Sequence, residues 1–238
     1  MANQIIGFCG LAGAGKDTAA RAMLGAMRRH GANAIIDSFA LPIRAISHRV
    51  CLDPYDRAGK EVRRTFHPSS FCAALQTAID AVLEAHLPED ERAALYAYTV
   101  AALTPFLWAD WDGPRISVSP REFMQALGTG GGQRVRPTLW VDLATGCWRA
   151  FDGTVLVTDV RFVRELAVLD RLILVERPGL APVNSHPSEK LAQQLSRSEW
   201  VGNYRCLPAV TLYNHPTQSK MEYRARHLGS RCARGKSW

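Results

Sequence analysis

Five short apolar runs punctuate the chain, at residues 4–9, 33–38, 154–159, 171–176 and 209–213. Each is rich in β-branched or other apolar residues, and most are bounded by glycine, proline or a charge. That is the pattern of strands buried on both faces. Between the first two runs, Ala19, Ala22, Met23 and Met27 recur at helical spacing within Thr18–His30, and His30-Gly31 supplies an end signal. Strands alternating with helices predict a parallel sheet covered on both faces.

From about 41 to 151 the pattern is mostly helical. Ser69 to Leu87 reads as a helix with Phe71, Leu75, Ile79 and Val82 on one face. Pro88-Glu89-Asp90-Glu91 reads as an acidic helix start leading to about Leu107. A breaker-rich link follows at Asp110-Trp111-Asp112-Gly113-Pro114. Ser119-Pro120 then caps another helix running through Phe123, Met124 and Leu127 to Gly128. The glycine triplet 130–132 is expected to be the most flexible internal point, and no internal repeat is present.

With 238 residues, 47% of them hydrophobic and 21% charged, the chain suits a soluble globular protein with one core and a substantial insertion. No apolar run reaches bilayer length, and the N-terminus lacks a secretory pattern. Six cysteines (Cys9, Cys51, Cys72, Cys147, Cys206, Cys232) form neither a CxxC pair nor a metal-ligand spacing, so reduced thiols in a cytoplasmic protein are expected. The net charge of +7 suits anionic partners. Part of it is local: Lys220, Arg224, Arg226, Arg231, Arg234 and Lys236 face only Glu222, which reads as a solvated, frayed tail.

The sharpest chemistry lies after the first run, in Gly10-Leu11-Ala12-Gly13-Ala14-Gly15-Lys16-Asp17-Thr18. Strand, glycine loop, lysine and helix make a polyphosphate cradle: small residues let backbone N–H groups reach phosphate oxygens, and the helix N-terminus adds positive potential. Lys16 would reach the β- and γ-phosphates, with Ala12 to Thr18 forming the cradle. Asp17 stands where the generic motif has Ser or Thr. Beside phosphates its carboxylate is repulsive unless it meets Mg²⁺, the acceptor side or a cation such as Arg161. The predicted fold is therefore α/β, a P-loop NTPase-type three-layer α/β/α with a five-stranded, mostly parallel sheet. Its core spans about 1–52 and 152–230, with a helical insertion at about 53–151 for a second-substrate pocket and lid, and a basic tail from about 229.

Three further segments carry candidate groups. Val155-Leu156-Val157-Thr158-Asp159-Val160-Arg161 is an apolar strand ending in an acid, where Asp159 either binds Mg²⁺ or caps the helix beginning near Phe162. Arg121, Gln125 and Thr129 share one helical edge, with Arg134, Trp140 and Asp142 downstream. Arginine pairs with phosphate and glutamine with a base edge, although Arg121 and Arg134 also suit a plain surface and Trp140 a core. In Ser38-Phe39-Ala40-Leu41-Pro42-Ile43-Arg44, Phe39 stacks on a base or is buried, and Arg44 meets a phosphate or solvent.

Together the GKDT loop, the Phe-Ala-x-Pro-x-Arg segment, REFMQALGT, the downstream arginine with Trp-Val-Asp, TDVRF…E, His186-Pro187-Ser188-Glu189 and VTLYN resemble the bacteriophage deoxynucleoside monophosphate kinases. The islands run in the family's order from Ile5 to about Leu228. Leu41 stands where the family usually has an acid, Arg44 where it often has lysine, and Val163-Arg164 where a Pro-Asn pair is common. The resemblance implies ATP and Mg²⁺ as cofactors, a dNMP as small-molecule substrate, and the cytoplasm (the host's, for a phage protein) as location. It implies Lys16, Asp17, Arg121, Arg134 and Arg161 in catalysis, and Asp17 and Asp159 at the metal. Phe39, Arg44, Lys60, Arg121, Gln125, Thr129, Arg134, Trp140, Asp159, Arg161 and Glu165 would contact substrate. No membrane partner is expected. Nucleic acid is not expected for want of a reading motif, though the basic tail leaves it open, as a homodimer also stays open. The GKD loop also resembles kinases of other small phosphorylated metabolites such as phosphomevalonate, and a basic ATP-binding module contacting DNA is the alternative of a different class. His186, Ser188 and Glu189 fit either a lid contact or a simple helix start.

Overall fold

Every residue of the first strand, β1 (Gln4–Cys9), is buried beyond Gln4. A strand paired on both edges and covered on both faces requires this. The chain continues through α1 (Lys16–Arg29), β2 (Ala34–Asp37), α2 (Leu41–Cys51), β3 (Arg64–Phe66), α3 (Pro68–Leu83), α4 (Glu89–Leu103), β4 (Leu107–Asp110) and β5 (Gly113–Val118). Then come α5 (Pro120–Gln125), a π-helical stretch over Ala126–Gly132, α6 (Gln133–Val135), α7 (Leu139–Arg149) and β6 (Thr154–Val157). The last elements are α8 (Val163–Leu166), β7 (Arg171–Glu176), α9 (Pro187–Ser196), β8 (Val210–Tyr213) and α10 (Ser219–Ala233). This computed structural model describes residues 3–51, 59–181, 187–197, 210–215 and 219–236. It divides into two units, residues 1–39 with 144–238, and residues 40–143.

The first unit holds a five-stranded sheet in the order β2-β6-β1-β7-β8, with every pairing parallel. This is the P-loop-type three-layer α/β/α fold, and each of the five apolar runs contributes one strand. Ile6 and Phe8 of β1, Leu156 of β6, and Ile173 and Val175 of β7 pack with Met23 and Met27 of α1 and Met221 and Ala225 of α10. On the other side of β1, a Cβ at Gly7 would lie 2.4 Å from Leu169 Cδ1, so the segment after α8 presses directly on the strand. The basic C-terminal stretch is helical rather than frayed as far as Ala233, the end of α10, and Arg234 and Lys236 follow the helix. A Cβ on Gly229 would lie 2.5 Å from the Met23 carbonyl oxygen, a helix–helix approach that needs glycine. The cations of α10 form the solvent side of an amphipathic helix, whose buried side pairs with α1.

The second unit takes in α2, whose Ile43, Ile46 and Val50 share a core with Phe71, Leu75 and Ile79 of α3 and with Leu95 of α4. Its helices follow the sequence periodicity, but α3 stops at Leu83 and α4 at Leu103. A mostly helical region was expected here, and the structure adds a three-stranded antiparallel sheet in the order β3-β5-β4. The Asp110–Pro114 link is the turn of the β4–β5 hairpin. These strands left little pattern, because Leu107 and Trp108 on β4 are both 47% exposed and Pro114 interrupts β5.

Ser119 caps α5 as expected, in a capping box with Glu122, and Pro120 occupies the first turn. Beyond α5 the glycine triplet corrects the expectation of flexibility. It lies in the π-helical stretch, with Gly128, Gly131 and Gly132 buried. A Cβ at Gly131 would lie 2.3 Å from Thr99 Oγ1, and one at Gly132 2.4 Å from Trp140 Nε1. The glycines let this stretch lie directly on α4. Among the described residues no helix is long and apolar enough to cross a membrane.

Two substitutions test this packing. Gly131→Ala forces a methyl into Thr99 and the Leu95 backbone and should destabilise by about 1–3 kcal/mol in a urea titration. Gly146→Ala, in α7 with nothing within 4 Å of the new Cβ, should be neutral or stabilising by about 0.5–1 kcal/mol. Equal effects at the two positions would mean that the close approach to α4 is absent.

Candidate functional site

Between the end of β1 at Cys9 and the start of α1 at Lys16, the chain must reverse within Gly10–Gly15. The reversal is tight. A Cβ at Gly10 would lie 2.2 Å from the Val175 carbonyl oxygen of β7. Gly15, the N-cap of α1, has φ 102°, and a Cβ there would lie 2.6 Å from Asn214 Nδ2. The Ala14 N–H donates to Leu11 O at 3.1 Å, and Asn214 Nδ2 donates to Ala14 O at 2.9 Å. Asn214 is in turn fixed just after β8 by its own N–H, 2.7 Å from Glu176 O. In the sequence, Asn214 is marked only as a polar residue ending an apolar strand.

Lys16 folds across the loop that precedes it. Its Nζ donates to Gly10 O at 2.7 Å and Leu11 O at 2.9 Å. Burial holds its pKa below the ordinary lysine value, and the Arg161 charge pushes the same way, while Asp17 and Glu189 oppose. Beneath it, burial pushes the Cys9 thiol up to about 12, so that sulfur stays protonated. Ala12 and Gly13 are exposed, Ala14 is buried, and Thr18 is half-buried. Asp17 is exposed in the first turn of α1, where negative charge complements the helix dipole. Glu189, in the first turn of α9, sends Oε2 to the Ala12 N–H at 3.4 Å.

At the end of β6, Asp159 is 6% exposed, and its Oδ1 accepts the Phe39 N–H at 2.9 Å. The Phe39 ring is not presented to a ligand. It is buried against Trp148 with ring centroids 4.9 Å apart, and Trp148 Nε1 donates to Asp37 at 2.7 Å. That corrects the base-stacking role expected for Phe39, because its ring completes the core where β2 ends. Arg161 is exposed, while Glu165 is buried and accepts the N–H groups of Arg161 and Phe162 at the start of α8. Glu165 therefore caps a helix, with its oxygen turned to the backbone rather than outward. Burial pushes its carboxyl up to about 7, with the Asp159 charge acting the same way and the two amides opposing.

A cavity of about 340 Å³ opens beside the loop. Leu11, Pro178, Leu180 and Ala192 give it apolar walls, and Arg177, Gln193 and Tyr213 give it polar edges. Among the described residues no three His, Cys, Asp or Glu side chains gather as a metal cluster.

The second unit carries the other expected site residues. Arg121, Gln125, Thr129 and Arg134 are exposed, and Arg44 is half-buried. Arg121 pairs with Glu61. Trp140 is buried and donates to Gly128 O at 3.0 Å, a core role rather than contact with substrate. Arg136, not singled out from sequence, pairs with Glu91 at 2.8 Å and Asp142 at 3.2 Å. His186 and the side chains of Lys60 and Ser188 lie outside the described residues.

Comparison with protein-family models and with curated protein sequences finds no match to this chain.

Glu165 sets a pH dependence with a definite sign. Its folded pKa of about 7 stands above the ordinary 4.5, so the native state holds an extra proton between those values. Stability from this group is full below pH 4.5 and is lost as pH rises toward 7. Glu165→Gln keeps an oxygen for both amides and removes the titration. Relative to wild type, the variant should gain on the order of 2–3 kcal/mol between about pH 4 and pH 8 in denaturant unfolding. A constant difference across that range would mean that Glu165 titrates normally.

Proposed function

We propose that this chain transfers the γ-phosphate of ATP to a deoxynucleoside 5′-monophosphate, giving ADP and the diphosphate. One observation carries the donor half of the reading. A glycine loop, a lysine and a helix N-terminus converge at the carboxyl end of a central parallel strand, where such sheets bind ligands and such loops bind phosphate. The cavity beside the loop has the size and the mixed lining that a nucleoside needs. The acceptor half rests on the resemblance of the Arg44 segment and of REFMQALGT to the phage kinases.

Lys16 exchanges its two carbonyl partners for phosphate oxygens, the Ala12–Thr18 amides cradle the chain of phosphates, and the Arg161 guanidinium adds charge beside them. The acceptor phosphate is largely dianionic at neutral pH, since its second pKa is about 6. It needs no strong base, and catalysis reduces to alignment and charge neutralisation along an in-line path. Arg121 and Arg134 are the further cations assigned by resemblance.

The donor set suits Mg²⁺. Thr18 and Asp17 in the first turn of α1 and Asp159 after β6 offer hard oxygens. Ser38 adds a buried hydroxyl without a partner among the described residues, next to the Phe39 amide that Asp159 holds. One or two carboxylates are the usual protein share when phosphates and water complete the coordination. The ion would neutralise phosphate charge.

A coupled ADP-release assay with ATP, Mg²⁺ and each dNMP tests the proposal. Turnover should depend on at least one dNMP, and Lys16→Ala should lower kcat at least about a hundredfold with an unchanged melting profile. Absence of stimulation by every dNMP would remove the acceptor assignment. Full activity of the Lys16 variant would remove the loop from the mechanism.

A further inference from the structure

The third residue of α9 turns a carboxylate onto the phosphate loop. Glu189 is 9% exposed, and nothing in the proposed chemistry uses it. A glutamate in a first turn commonly folds back onto the free N–H groups of its own helix. Here Oε2 also reaches outside its own helix and accepts the Ala12 N–H at 3.4 Å. Its charge is also felt at Lys16 and at Cys9. The Glu189 carboxylate thus holds one amide of the loop and adds negative charge near Lys16, whose ammonium is bonded to the Gly10 and Leu11 carbonyls. The amide and the ammonium are the donors a phosphate oxygen seeks, and an anion of the chain itself already occupies the first.

We propose that Glu189 is a specificity-determining residue, an internal anion seated at the phosphate loop that lets a polyphosphate in and turns a single phosphate away. The inference rests on the donor half of the proposed function. A ligand must replace the Glu189 contact and overcome the repulsion of its charge. A polyphosphate does so with oxygens spread over Lys16 and several loop amides, whereas one phosphate group has contacts for only part of the cradle. The distinction matters in a phosphotransferase, because donor and acceptor both carry phosphate and only the donor belongs at this loop.

Calorimetric titration of the full chain with pyrophosphate and with orthophosphate, without nucleotide, tests the role. Glu189→Gln keeps an oxygen for the Ala12 N–H and removes the charge. It should bind orthophosphate about tenfold more tightly than wild type, with a smaller gain for pyrophosphate. Glu189→Asp, one methylene shorter, should fall between the two and serves as the readout if the Gln variant does not fold. Unchanged or weaker orthophosphate binding in a folded variant overturns the role of Glu189. If wild type and variants bind pyrophosphate alike and orthophosphate alike, the loop assignment survives and Glu189 alone is dismissed. If none binds pyrophosphate or ATP, the loop assignment fails and takes this inference with it.

Discussion

The short return of the chain between β1 and α1 is the constraint on which the first unit depends. Its glycines permit backbone approaches that no side chain would allow, at Gly10 against the β7 carbonyl of Val175 and at Gly15 against Asn214. Asn214 also ties the loop to the end of β8, through Ala14 on one side and Glu176 on the other. The ends of β7 and β8 thus fix the six residues of loop between β1 and α1. A cradle of amides has to be rigid before a ligand arrives, because ordering it afterwards costs conformational entropy.

Charge around that loop is balanced rather than simply positive. Lys16 and Arg161 are set among Asp17, Asp159, Glu165 and Glu189. Two of those carboxylates are held by backbone amides, at Phe39 and at the start of α8, and a third by the loop itself. The cations that give the chain its excess positive charge lie in large part on the outer side of α10. Net charge therefore says little about the candidate site. Its electrostatics follow from a few buried groups whose partners are backbone N–H groups.

The second unit is organised by a different close approach. A π-helical stretch of small residues lies on α4, with Gly131 against Thr99 and Gly132 against Trp140. Wider helical turns at Ala126–Gly132 keep Gln125 and Thr129 at the surface while the glycines stay inside. The glycines that read as the most flexible internal point are thereby the contact between helices.

The amino-acid sequence by itself determined the parallel sheet, the glycine loop between β1 and α1 and the cap at Ser119, because each rests on local chemistry: apolar runs of strand length, glycine spacing beside a lysine, and an oxygen at a helix start. It also singled out Asp159, Arg161 and Glu189, but not what they touch. The tertiary structure alone decided that the Phe39 and Trp140 rings are core and that Glu165 caps α8. It alone decided that Asn214 pins the loop, that the glycine triplet is packed, and that β3, β4 and β5 form a sheet. Each of those depends on a partner distant in sequence, such as Trp148 for Phe39 or Thr99 for Gly131, and no spacing along the chain encodes which distant group fills the space beside a residue.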